Sequence, residues 1–400
     1  MLRMMCLFSN NLYNVTLYNI RQHYFSEKQH LRYEANYHVT KNNENYKLLQ
    51  AGVSQQTMKV VDRAFKSFFA LITKAHESDC RFQAVRLPHY RKKGALFNLI
   101  LQSNAISISK DGFLNVPMSN AFMNIYGREK IKIRVPQCVL EHKLKEVCII
   151  PLCSGRLFKI QYVYEVESEH LHLDRTKALA IDIGLDNLAT CVSTVGTSFI
   201  MDGRRIKSIN RQWNKRRADL QSRLPKSQHT SKLIQRLTLK RNNRANDCLK
   251  KTARYIVNHC IANDIGTIVC GYNPDFKRDI KLGTRTNQNF TQISFGSLRE
   301  QLSNLCERYD IDYVEQEESY TSQASFFDGD NLPVYNADNP NAYAFSGKRI
   351  HRGLYKTAAG TLINADLNGA ANILRKSKRN FDNEGLCRGL LASPLRIRLV

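Results

Sequence analysis

The stretch Ala178-Leu-Ala-Ile-Asp-Ile-Gly184 decides how the chain is read. It is an apolar strand interrupted by one acid, Asp182, near its C-terminal end. A buried carboxylate is costly unless it is paired or binds a cation, so this charge needs a partner. Taken alone, Asp182 reads equally well as a helix cap or as half of a salt bridge. Its surroundings narrow the choice.

Leu188 to Ser193 and Ser198 to Met201 continue as two more strands of a meander. Thr267-Ile-Val-Cys-Gly271 and Asp312 to Glu317 follow as later strands separated by helices. Hairpin strands first, then strands alternating with helices, is the order of an α/β fold of the ribonuclease H type. Two further acids can join Asp182 in such a fold. Glu317-Glu318 ends the strand that begins near Asp312, and Asp366 opens a segment with apolar residues at Leu367, Ala370, Ala371 and Leu374, the spacing of an amphipathic helix. Acids from two strand ends and one helix start can meet at the C-terminal edge of the sheet. There they would hold two hard cations, Mg²⁺ or Mn²⁺, roughly 3.5–4 Å apart, for phosphodiester hydrolysis.

Between the third and fourth strands, Arg204 to Arg254 carries seventeen Lys/Arg against two acids, Asp219 and Asp247. A charge run is usually a solvated face. This imbalance exceeds what solubility needs and favours a hairpin that binds a phosphate backbone. Its end, Leu249, Ala253, Ile256 and Cys260, packs one helical face. Upstream, residues 10–25 and 54–74 read as helices, the second with a stripe of Val61, Phe65, Phe68 and Ile72. From about Phe97 to Glu167 short β-rich runs alternate with turns, which suggests a small barrel or curled sheet. Before it, the basic loop Leu87-Pro88-His89-Tyr90-Arg91-Lys92-Lys93-Gly94 is either a solvated loop or a phosphate contact.

A chain of 400 residues exceeds one ordinary core, so several domains are expected. The net charge of +25 points to a polyanionic partner, nucleic acid ahead of an anionic membrane. The eleven cysteines include no Cys-x-x-Cys, and Cys191, Cys260 and Cys270 lie in apolar runs, the pattern of reduced thiols in a cytoplasmic protein. No stretch approaches the roughly 18 apolar residues of a membrane span, and the apolar run at Met1 to Phe8 is too short for a signal peptide.

Jointly, several motifs resemble the TnpB/OrfB proteins of bacterial insertion sequences, relatives of compact type V CRISPR effectors and of Fanzor. They are Ala180-Ile-Asp-Ile-Gly-Leu-Asp-Asn-Leu-Ala-Thr190, Lys207-Ser-Ile-Asn, Asn214-Lys-Arg-Arg217, Tyr320-Thr-Ser322 and Asn364-Ala-Asp-Leu-Asn-Gly-Ala-Ala-Asn-Ile373. The resemblance extends to the N-terminal helical segment at Ser9-Asn-Asn-Leu-Tyr-Asn14 and implies a multidomain α+β protein. Residues 1–96 would form a helical recognition lobe inserted in a wedge-like β-barrel, 97–172. Residues 173–380 would form a RuvC-like nuclease domain, with a basic helical insertion at 204–263 and a degenerate zinc-ribbon-like insertion at 320–362, and 381–400 a tail. The activity implied is RNA-guided cleavage of double-stranded DNA with two Mg²⁺, the guide RNA arising from the element end. Asp182, Glu318 and Asp366 would be both the catalytic residues and the metal ligands. Nucleic acid would be met by Gln55, Arg91, Lys92, Lys93, Lys207, Lys215, Arg216, Arg217, Lys240, Arg241, Lys348, Arg349 and Arg352. A nuclease-dead RNA-guided repressor and a conventional strand-transfer transposase are the alternatives.

The sequence departs from the family pattern in three places. The fourth strand ends in Gly271-Tyr272 without the usual Glu, and Glu318 is where a rearranged subset places it. Ser325, Asp328, Lys356 and Ala359 stand where paired zinc-binding Cys would be. No zinc is therefore expected, and Phe326, Phe327, Tyr335, Tyr343 and Phe345 would order that loop instead. The chain also starts at its first helix without the barrel strand that normally precedes it, which raises the expectation of an upstream start.

Overall fold

The computed structural model describes residues 1–77, 85–273, 288, 292–335, 343–351, 353–377 and 393–399. They form two compact units, Met1–Val166 and Glu167–Val400.

The first unit opens with helices α1 (Leu2–Glu27), α2 (Tyr33–Thr40), α3 (Glu44–Lys47) and α4 (Ala51–Glu77). The helix expected from residue 10 starts at residue 2, because Met5, Cys6 and Phe8 carry its buried stripe back to the first turn. The α4 stripe is as expected: Val61, Phe65 and Phe68 pack on Leu17 and Ile20 of α1. The remaining elements are β1 (Leu99–Gln102), β2 (Ser107–Ile108), β3 (Phe113–Asn115), α5 (Asn120–Tyr126), β4 (Lys132–Arg134), α6 (Gln137–Leu140), β5 (Leu144–Leu152) and β6 (Leu157–Tyr164). Their described pairings give two antiparallel sheets of three strands, β1-β5-β6 and β2-β3-β4, and no closed barrel is among them. Met5, Cys6 and Leu12 of α1 and Val53 and Met58 of α4 share one core with Leu99, Leu101, Val147 and Ile149. Helices and strands of this half are thus packed as one body.

The second unit is built on β7 (Asp174–Asp182), β8 (Asn187–Ser193) and β9 (Ser198–Asp202), followed by the basic helices α7 (Arg204–Ser222) and α8 (Lys232–Ala262). Then come β10 (Ile265–Tyr272), α9 (Phe295–Arg308), β11 (Asp312–Glu317), the short strands β12 (Lys348–His351), β13 (Leu354–Lys356) and β14 (Leu362–Asn364), helix α10 (Ala365–Lys376) and β15 (Leu395–Ile397). One sheet has the order β11-β10-β7-β8-β9-β15. Within it β7, β8 and β9 run antiparallel, whereas β10 is parallel to β7 and β11 to β10.

Alternation along each strand sends successive side chains to opposite faces. Leu179 and Ile181 of β7, with Ile268 and Cys270 of β10, meet Leu249, Ala253 and Ile256 of α8 and Leu298 and Leu302 of α9. Ala178, Ala180 and Val269 face Leu367, Ala370, Ala371 and Leu374 of α10 on the other side. Covering both faces makes these strands continuously apolar, which is why a charge at Asp182 stands out in the sequence. The small residues on the α10 face let that helix approach closely. Burying Leu367 and Leu374 contributes roughly 1.5–3 kcal/mol each.

Two features were not read from the sequence. The zinc-ribbon-like stretch contains a small antiparallel sheet, β12-β13-β14, whose β12 is exposed throughout and so gives no apolar alternation. Residues 395–397, taken as part of a tail, pair parallel to β9 as the sixth strand of the main sheet. Among the described residues no helix is long and apolar enough to cross a membrane.

Candidate active site

Asp182 closes β7 on the α10 face, two residues beyond Ala180. Its Oδ2 lies against Gly369 of α10: a β-carbon there would stand 3.1 Å away. Asp366 sits in the first turn of the same helix. Asn364 caps that turn, its Oδ1 accepting from the backbone N–H groups of Asp366 at 3.0 Å and Leu367 at 3.1 Å. The helix start, with its unpaired N–H groups, favours a carboxylate. Asp366 Oδ2 accepts from Asn187 Nδ2 at 2.6 Å, and Oδ1 accepts from Arg349 Nη2 at 3.1 Å. Asp182 and Asp366 line a cleft of about 550 Å³ together with Asn187, Arg204, Arg349 and Arg396.

Glu318 follows the last residue of β11 and turns its carboxylate back over β10. A β-carbon at Gly271 would stand 2.6 Å from Glu318 Oε2 and 2.7 Å from Ile373 Cδ1. A side chain at 271 would have to displace that carboxylate from its present seat. Glu317 is placed differently. Its carboxylate pairs with the buried Lys376 Nζ at 2.6 Å and accepts from the Ser319 N–H at 2.6 Å. Lys376 also donates to the carbonyls of Ser319 and Pro333 at 2.8 and 2.9 Å. The two neighbouring glutamates therefore face different partners, as strand alternation requires.

Electrostatics separates them further. Burial, then the carboxylates of Glu318 and Asp366, raise the Asp182 carboxyl well above the usual range, against the opposing pull of Arg349. Glu318 is pushed up to about 7, first by burial and then by Glu317, with Arg299 and Lys376 pulling the other way. Glu317 is held below its ordinary value: the bonds from Lys376 and Ser319 outweigh the opposing effect of burial, the largest single influence on it. Burial and mutual repulsion thus favour the protonated form of Asp182 and Glu318 wherever no cation offsets their charge.

Three carboxylates form a hard-oxygen donor set of the kind that suits Mg²⁺ or Mn²⁺. Among the described residues, however, no three His, Cys, Asp or Glu side chains are drawn together closely enough to hold one ion. Like charges spread apart, and both oxygens of Asp366 are turned to Asn187 and Arg349.

The cations expected at nucleic acid fall into two groups. Lys92, Lys93, Lys215, Arg216, Arg217, Lys240 and Lys348 are exposed. Others are committed within the protein. Arg91 donates to Asn10 Oδ1 at 2.9 Å and to the Leu96 carbonyl at 3.2 Å and lies over Phe97, which pins the basic loop to α1. Arg241 bonds Asn210 at 2.7 Å and the Gln292 carbonyl at 2.6 Å beside Trp213, and so braces the α7–α8 hairpin. Lys207 pairs with Asp186, and Gln55 is half-buried on α4, bonded to Tyr46. Arg349 is engaged with Asp366, and Arg352 lies outside the described residues. Sequence reasoning missed Lys376, Arg299 and Arg396 near the acids. For Arg396 a signal existed: Leu395-Arg-Ile-Arg-Leu399 alternates as a strand does.

Residues 161–276 match the family model OrfB_IS605, described as a probable transposase, and residues 295–373 match that of the Cas12f1-like TNB domain. No curated protein matches. Among solved structures, the Cas12f1–sgRNA–target DNA complex shares 13% identity over 93% of this chain and 81% of its own, with a TM-score of 0.58. A CRISPR-Cas12f ternary complex gives 14% identity over 93% and 80%, at a TM-score of 0.38. CasPhi-2 (Cas12j) bound to crRNA and phosphorothioate-DNA gives 10% over 86% and 81%, at 0.37. The first of these shows a shared mixed α/β multidomain fold. The two matched segments carry the chain's likeness to OrfB_IS605 and Cas12f1-like proteins.

Proposed function

We propose that this protein is a transposon-associated, RNA-guided DNA endonuclease with a ribonuclease H-like (RuvC) site in its second unit. The observation that carries the reading is the Glu318 carboxylate seated over Gly271, on the same sheet face as Asp182 and α10. The usual fourth-strand acid is absent, and another acid from the adjacent strand occupies the space its side chain would need. Strand order and direction in the main sheet support the same assignment.

Asp182, Glu318 and Asp366 would hold two Mg²⁺ or Mn²⁺ ions. Bound there, the ions would supply a nucleophilic water and neutralise charge on the phosphodiester. Asn364 fixes the backbone that presents Asp366, and Gly369 and Gly271 keep the approaches to Asp182 and Glu318 open. Lys92, Lys93, Lys215, Arg216, Lys240 and Lys348, with Arg217 from its place over Trp213, are exposed and would follow the backbones of guide RNA and target DNA.

The test is the complete chain purified with the transcript that flanks its gene, given a supercoiled plasmid carrying a guide-matched target, with and without Mg²⁺. Linearisation only when guide, target and Mg²⁺ are all present is expected. Binding without cutting would favour a repressor, and joined strands would favour a transposase. Either result would contradict the proposal.

A further inference from the structure

The Asp366 carboxylate is held by a chain of bonds that starts on the last strand. β15 lies parallel to β9 with Arg396 opposite Ile200. From there the Arg396 guanidinium donates to Asn187 Oδ1 at 2.9 Å, and Asn187 Nδ2 donates to Asp366 Oδ2 at 2.6 Å. A side-chain amide is nearly symmetric in shape. Turned by half a rotation, Asn187 would present its oxygen, not its NH₂, to the carboxylate. A guanidinium has donors only, so beside Arg396 the amide keeps its oxygen outward and its NH₂ on Asp366. Asp202 lies 4.0 Å from Arg396, its carboxylate already bonded by Arg204 at 2.5 Å.

We infer that Arg396 is a positioning residue for Asp366, acting through the orientation of the Asn187 amide, so that the C-terminal strand is part of the site. This rests on the reading of Asp366 as a cation ligand. Without Arg396, the amide loses one of the two partners that fix its direction and is held by Asp366 alone. The Asn187 side of the Asp366 carboxylate is then less firmly held than the Arg349 side.

The experiment measures manganese affinity by calorimetry, and guide-directed cleavage, on the RNA-bound full chain. It compares wild type, Arg396→Met, Arg396→Lys, Asn187→Ala and the Asn187→Ala/Arg396→Met double variant. Partners that orient a metal ligand typically govern affinity by about 10–100-fold. Arg396→Met should weaken manganese binding and slow cleavage by about tenfold, and Arg396→Lys, still a pure donor, should recover most of both. The double variant should match Asn187→Ala within about twofold, because Arg396 acts only through Asn187. Losses that multiply, or an Arg396→Met protein indistinguishable from wild type, would overturn the inference. If Arg396→Met does not fold, Asn187→Ala, which leaves β15 untouched, must still show the tenfold loss. Should Asp366→Asn bind manganese as tightly as wild type, the cation-ligand reading is what fails, and the inference falls with it.

Discussion

A methyl group at position 271 would stand 2.6 Å from Glu318 Oε2 and 2.7 Å from Ile373 Cδ1, so it would move the Glu318 carboxylate from its present seat. Read in sequence alone, Gly271 is a missing acid. In the structure it is the space the acid needs. The raised Glu318 carboxyl has a consequence for stability. Its ordinary value of 4.5 becomes about 7 in the folded protein, so between these values the folded state binds more protons than the unfolded one. Stability from this group therefore falls as pH rises from 4.5 through 7 in the absence of divalent cations. Thermal melting with chelator should show Tm declining over that window, and Glu318→Gln should flatten the decline. An unchanged pH profile in Glu318→Gln would show that Glu318 is not the group responsible.

At the scale of elements, the sequence was most legible where both faces of a strand are buried. Asp182 and β10 announced themselves through apolar runs and α10 through its amphipathic spacing, whereas β11, Asp312-Tyr-Val-Glu-Gln-Glu317, is half-buried and polar. Segment 320–362 did not, because its order comes from polar bonds that leave no periodic trace. Asp330 accepts from the Ser325 N–H at 2.7 Å and from Ser346 Oγ at 2.6 Å, while Asp328 accepts from the Ala358 N–H at 2.8 Å. These carboxylates tie together the described part of the loop. Of the aromatics expected to order it, Phe326 and Phe327 pack on the α10 core, Tyr343 and Phe345 stack on Tyr320, and Tyr335 is exposed. Asp330→Ala should lower stability by about 1–3 kcal/mol, the cost of leaving the N–H of buried Ser325 unpaired. Elemental analysis of the wild type should find no stoichiometric zinc. A zinc atom per chain, or Asp330→Ala melting like wild type, would contradict this account of the loop.

For the whole molecule, the charge of +25 leads to the expectation of a polyanionic partner but not to which cations face it. Arg91 and Arg241 looked like phosphate contacts in sequence and are internal braces in the structure. A motif shows where charge is dense, and only packing shows which charge is spent. The protein should co-purify with RNA, and its affinity should fall steeply with salt as phosphates release counterions. Replacing exposed Lys215 and Arg216 with Ala should reduce the slope of log affinity against log salt by roughly 1.4 for single-stranded RNA, without changing Tm. Arg241→Ala should instead lower Tm. The converse pattern would mean the two groups of cations have been exchanged.

The central claim is that Glu318 is the third acid of a cation-dependent nuclease site, and the most direct measurement is guide-directed cleavage by its variants. Glu318→Gln should lose cleavage while retaining RNA and target binding, as Asp182→Asn and Asp366→Asn should. Glu317→Gln weakens the pair with buried Lys376 and should melt at lower temperature, yet keep substantial cleavage where it is folded. Cleavage that survives in Glu318→Gln, or is lost in folded Glu317→Gln alone, would contradict the account.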